Sequence, residues 1–188
     1  MNAAMSLQRV VMAFEMSAAD AEIMEFSGLL LLEVAQLGGF PEAVVLGMVA
    51  ALGRTSVTHH VDAWQLVDLL DEHWESLTTE QERSLTGALS RAFWLSTEEM
   101  FQFRVAELFG ERLSPDAIVA WIGDRLEGSG LQTKVCAVHA LADACVKARL
   151  GRAAPSPSVE NFLLRVLGDG PDELRKEARR AQGESDWR

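Results

Sequence analysis

Five side chains between positions 64 and 75 have the types and spacing to capture a basic surface. On a helix, Asp68, Asp71, Glu72 and Glu75 fall within a stripe about 100° wide, and Trp64 stands one turn before Asp68 on the same side. A tryptophan ringed by carboxylates has the make-up of a binding hot spot for a cationic protein. The opposite side carries Leu66, Leu69, Leu70, His73 and Leu77 and is the predicted core face. Like charges three and four residues apart cost an isolated helix a few tenths of a kcal/mol per pair, so the stripe does not serve the helix itself. The plainer alternative is that Trp64 packs beneath a neighbouring helix and the acids form a solvated face.

A second set lies further along. Cys136, His139 and Asp143 share one side of a predicted helix, while Val135, Val138, Leu141, Ala142, Cys145 and Val146 form the other. A thiolate, an imidazole and a carboxylate at spacings of three and four could surround zinc. No fourth ligand and no paired CxxC or HExxH accompanies them, and ordinary packing between helices is the competing reading. Cys136 and Cys145 fall on opposite sides of the same helix, so both are read as reduced core thiols. His59, His60 and Asp62 follow Ser56 at a helix start. They read as a loop and cap, with a pH-sensitive or ligand-binding histidine pair as the alternative; a nucleophile set from Ser56, His59 and Asp62 is disfavoured, because neighbours on one turn do not converge as acyl transfer requires. Glu80, Glu82, Glu98 and Glu99 lie in first helical turns, where capping and the helix dipole account for them. Gly38-Gly39 stops a helix and is no phosphate loop. No catalytic constellation emerges, and neither an enzyme nor a cofactor is expected.

The chain has 188 residues, 28 acidic and 17 basic, for a net charge of −11. Such a field repels a phosphate backbone and anionic lipid, which argues against nucleic-acid and membrane partners. The acids concentrate before residue 151, whereas the remainder is charge-balanced. An asymmetric field of this kind speeds encounter with a basic protein. The first residues have no charged segment followed by a long apolar run, and Leu29–Leu32 is closed by Glu33, so a cytoplasmic location is expected. Arginine far exceeds lysine and alanine is abundant, as in proteins of GC-rich bacterial genomes.

The elements that must hold these residues are helical throughout. Helix starts are predicted at Ser17, Phe40-Pro41, Val61, Thr79, Ser96-Thr97, Ser114-Pro115, Leu131, Ser156-Pro157 and Gly170-Pro171. Stops are predicted at Gly38, Gly53, Gly110, Gly128, Gly151 and Gly168. No stretch alternates at period two, so the fold class is all-α. Openings near Val61, Thr79, Thr97, Pro115 and Thr133 recur every 18 residues, which makes a helical hairpin of 36.

Thr133-Lys134-Val135 with Ala137, Ala140, Leu141 and Asp143 resembles the second helix of a HEAT repeat. Phe103–Leu108 and Met48–Gly53 are similar in part. The resemblance implies nine or ten helices stacked as antiparallel hairpins in a right-handed α-solenoid. Residues 1–168 would form the repeat domain, and 169–188 a charged terminal helix or cap with a frayed end. Fold alone carries no chemistry. A small acidic helical domain without catalytic residues resembles bacterial immunity proteins. The expected function is therefore protein binding, with an acidic surface occluding a basic toxin domain. A cytoplasmic scaffold or adaptor is the alternative, and an enzyme or DNA-repair protein on the same scaffold the third. The oligomeric state is left open.

Overall fold

The structure, a computed structural model, describes residues 63–183 together with Val45, Met48, Val49, Leu52 and Gly53. The expected helices at 17–37 and 41–53, the Leu29–Leu32 run, the Ser56–Asp62 cluster and the frayed end at 184–188 lie wholly or mainly outside the described residues. Eight α-helices and one 3₁₀ turn follow in order among the described residues, and no strand. They are α1 (Trp64–His73), the 3₁₀ turn (Trp74–Ser76), α2 (Thr79–Leu95), α3 (Glu99–Arg112), α4 (Pro115–Ile122), α5 (Arg125–Gly128), α6 (Leu131–Leu150), α7 (Pro157–Asp169) and α8 (Asp172–Gln182).

Local chemistry explains most boundaries. Thr78 opens α2 with a reciprocal capping box: its hydroxyl accepts from the Gln81 amide at 3.3 Å, and the Gln81 side chain accepts from the Thr78 amide at 2.9 Å. Ser114 caps α4 and Ser156 caps α7, each ahead of a proline that gives up no needed donor. Gly151 closes α6 where expected.

Several helix boundaries differ from expectation. The helix foreseen from Ser114 to Gly128 is two, because Gly123 takes φ 45° and ψ −133° and breaks it. The helix foreseen from Val61 to Leu77 ends at His73 and tightens into the 3₁₀ turn that buries Trp74. Gly110 does not stop α3, which runs on to Arg112. A Cβ there would sit 2.6 Å from Asp143 Cβ and 3.0 Å from the Ala140 carbonyl oxygen, so the glycine serves close approach of α3 to α6. Gly110→Ala is expected to cost ~1–3 kcal/mol through overpacking, read as a lowered Tm at unchanged helicity. The 18-residue rhythm is also loosened: α2 and α4 open at Thr79 and Pro115, but α3 and α6 open at Glu99 and Leu131.

The chain divides within α3 into two compact units, residues 1–102 and 103–188. In the first, α1 buries Leu66, Val67, Leu69 and Leu70, and α2 buries Leu85, Ala88, Leu89, Ala92 and Phe93. The turn into α3 is held by buried Gln102, whose amide donates to the carbonyls of Phe93 at 3.1 Å and Ser96 at 2.8 Å. In the second unit, α6 is central. It buries Cys136, Ala137, Val138, Ala140, Leu141, Ala142, Ala144 and Cys145, nearly all round its circumference. Helices α4 and α8 each pack on both α6 and α7. Phe109 of α3 meets Trp121 of α4 edge to face, with centroids 4.9 Å apart.

Candidate functional site

Helix α1 positions the acidic face. Its buried residues span one side, as the leucine spacing requires. His73 and Leu77, assigned to that side from sequence, are only half-buried, and Val67 and Trp74 fill the core there instead. On the other side Trp64, Asp68 and Asp71 succeed one another at single-turn intervals and are half-buried, while Glu72 is exposed. Trp64 is therefore neither fully covered nor free of its surroundings. Glu75 is exposed on the 3₁₀ turn and no longer follows the phase of α1. The structure thus keeps Trp64, Asp68, Asp71 and Glu72 on one helix and carries Glu75 on the following element.

The second candidate set is rearranged. His139 and Asp143 meet, with Nε2 and Oδ2 3.3 Å apart, but Cys136 does not join them. Cys136 is buried, and its sulfur lies 3.8 Å from the Gln132 amide nitrogen. The other imidazole nitrogen of His139, Nδ1, lies 3.1 Å from Glu177 Oε2 on α8. Arg180, one turn further along α8, donates to Asp143 and, at 3.3 Å, to Glu177. Its Nη1 is also 3.1 Å from His139 Nδ1. The Phe103 ring of α3 closes the cluster, its centroid 5.1 Å from the imidazole.

Electrostatics follow from this geometry. The hydrogen bond to Glu177 raises the His139 pKa above its ordinary value of 6.5. The Asp143 and Glu177 charges add to it, against burial and Arg180. The same hydrogen bond holds the Glu177 carboxyl below its ordinary 4.5, again against burial. When protonated, the imidazolium can donate to both carboxylates, with Arg180 balancing the second negative charge. Both imidazole nitrogens face these carboxylates. Among the described residues no group of three or more histidine, cysteine, aspartate and glutamate side chains is arranged to hold a metal ion. Burial also raises the pKa of the Cys145 thiol, which keeps it protonated in the core.

Glu177 and Arg180 were absent from the sequence reading. Their i, i+3 spacing is visible, but nothing local says that α8 lays them against His139. A shallow pocket of about 240 Å³ was missed for the same reason. Leu126, Val166, Pro171 and Leu174 form its apolar lining, and Glu127, Lys134, Arg165 and Asp169 its charged part.

Comparison with protein-family models, curated proteins and solved structures finds no match for this chain. No helix among the described residues is long and apolar enough to cross a membrane.

Proposed function

We propose that this chain is a non-enzymatic protein-binding module. Its concrete form is a bacterial, cytoplasmic immunity protein that neutralises a cognate basic toxin by covering it with an acidic surface. The observation that carries this reading is the division of α1 into a buried leucine face and a polar face bearing Trp64, Asp68, Asp71 and Glu72. A helix fixed to its own core on one side holds those side chains in a set array, which lowers the ordering cost of binding. The net charge of −11 supports fast, salt-sensitive capture of a cationic partner. In this reading the carboxylates occupy positions that substrate phosphates take on the toxin. Stacking of the helices as a HEAT-like solenoid belongs to the same proposal and rests on their all-α order and on the 36 residues between the starts of α2 and α4.

The test is a paired substitution. Trp64→Ala with Asp68→Lys is expected to weaken partner binding by at least ~30-fold, the loss of one central hot-spot residue, while the far-ultraviolet circular dichroism stays near wild type. Unchanged affinity of this folded variant for the partner rejects the α1 surface. Association of the chain with several members of one pathway in place of a single basic protein favours the scaffold reading.

A further inference from the structure

We propose that the His139 cluster is a proton-gated clamp that fastens α8 to α6. Helix α8 packs closely on α6 and α7, but mainly through small side chains. Its buried residues are Leu174, Ala178 and Ala181, a single large side chain in eleven residues. A free helix of that length is marginal in water, so detachment and unfolding of α8 coincide. Polar contacts add to this docking. At the C-terminal end, the Arg149 guanidinium of α6 donates to the carbonyls of Ala181 and Arg180, satisfying the end of α8 and complementing its dipole. In the middle stand His139, Asp143, Glu177 and Arg180.

Of these, only His139 changes charge near neutrality. The charged groups acting on it are Asp143 of its own helix and Glu177 and Arg180 of α8, while α3 presents the uncharged Phe103 ring. The side chains of His139, Asp143 and Glu177 are only 18, 22 and 17% exposed, so water compensates them poorly when a partner is lost. Loss of the imidazole proton takes the cluster from balanced to one net negative charge. One carboxylate then loses its imidazole donor and is left to Arg180, while the other keeps the remaining imidazole N–H.

The sign of the dependence follows from linkage. His139 binds its proton more tightly when α8 is docked, so its contribution is complete below pH 6.5, its ordinary pKa, and is lost as pH rises through the raised value. Glu177 acts oppositely: its contribution is present above 4.5 and fails as pH falls through the lowered value. Docking is therefore tightest on the acid side of neutrality and loosens in mild alkali, ahead of the α6 core.

Amide hydrogen exchange of the full chain between pH 5.5 and 9.5, corrected for intrinsic rates, tests this. Protection of α8 is expected to fall by up to about tenfold per pH unit above pH 6.5 and then to level off, while amides of residues 136–145 stay protected. In His139→Gln and Glu177→Gln the dependence is expected to flatten. The proposal is overturned by pH-independent protection of α8 in the wild type, or by a pH dependence that survives in folded His139→Gln. Should the variants not fold, the imidazole titration of wild-type His139 by NMR decides. A midpoint clearly above 6.5 that coincides with the loss of α8 protection supports the clamp, and a midpoint at 6.5 or below overturns it.

Discussion

Leu70→Asp is expected to abolish the cooperative thermal transition of the unit that holds α1. Leu70 is completely buried, flanked by Leu66, Val67 and Leu69 on the same helix. Removing its side chain alone costs ~2–5 kcal/mol in a core that cannot fully collapse. Aspartate adds a carboxyl with no partner in an apolar setting, which costs ~1–3 kcal/mol even when the group neutralises itself by taking a proton. The combined loss rivals the whole stability of a typical domain, about 5–15 kcal/mol. Leu70→Met, which conserves volume, is expected to cost under ~1.5 kcal/mol and separates shape from charge. A Leu70→Asp protein that retains the wild-type transition by calorimetry would show that Leu70 does not face the core. The opposing placement of Asp68, Asp71 and Glu72 would then fail with it.

The second large effect is expected in the other unit. Phe109 is 1% exposed, and its ring meets Trp121 edge to face. Phe109→Ala leaves a cavity where α3 and α4 meet, at a cost of ~3–5 kcal/mol, and forfeits an aromatic pair worth roughly 0.5–1.5 kcal/mol more. Chemical denaturation should show a fall in midpoint at nearly unchanged slope, since the surface exposed on unfolding hardly changes. Phe109→Leu leaves a smaller hole and should fall between. A Phe109→Ala midpoint equal to wild type would contradict the packing described for this unit.

What could be read from sequence was what depends on near neighbours. Period and the absence of alternation yielded the all-α class. Ser114-Pro115 and Ser156-Pro157 marked helix starts because a hydroxyl cap and a proline act within one turn. The leucine spacing of α1 located its buried side. What escaped depends on partners distant in the chain. Gly110 looked like a stop because glycine so often ends helices, yet its role is set by Asp143 and Ala140 on another helix. Gly123, unmarked by any neighbouring cap, breaks the segment by adopting a positive φ that side chains avoid. Cys136, His139 and Asp143 share a face as periodicity required, but α8 decides what covers that face. Its Glu177 and Arg180 turn a metal-like spacing into a salt-bridged cluster. Glu75 left the acidic stripe because the helix tightened after His73, a change that burial of Trp74 accompanies and simple periodicity does not register.

Capture of one basic protein by the acidic face of α1 can be read by affinity capture. The tagged full chain is exposed to a lysate of its source organism at low and then high salt, with Trp64→Ala/Asp68→Lys as parallel bait and mass spectrometry as readout. A single basic protein with a toxin-like domain is expected, retained by the wild type at low salt, released at high salt and absent from the variant. Several proteins of one pathway, or a partner held equally by the folded variant, would contradict it.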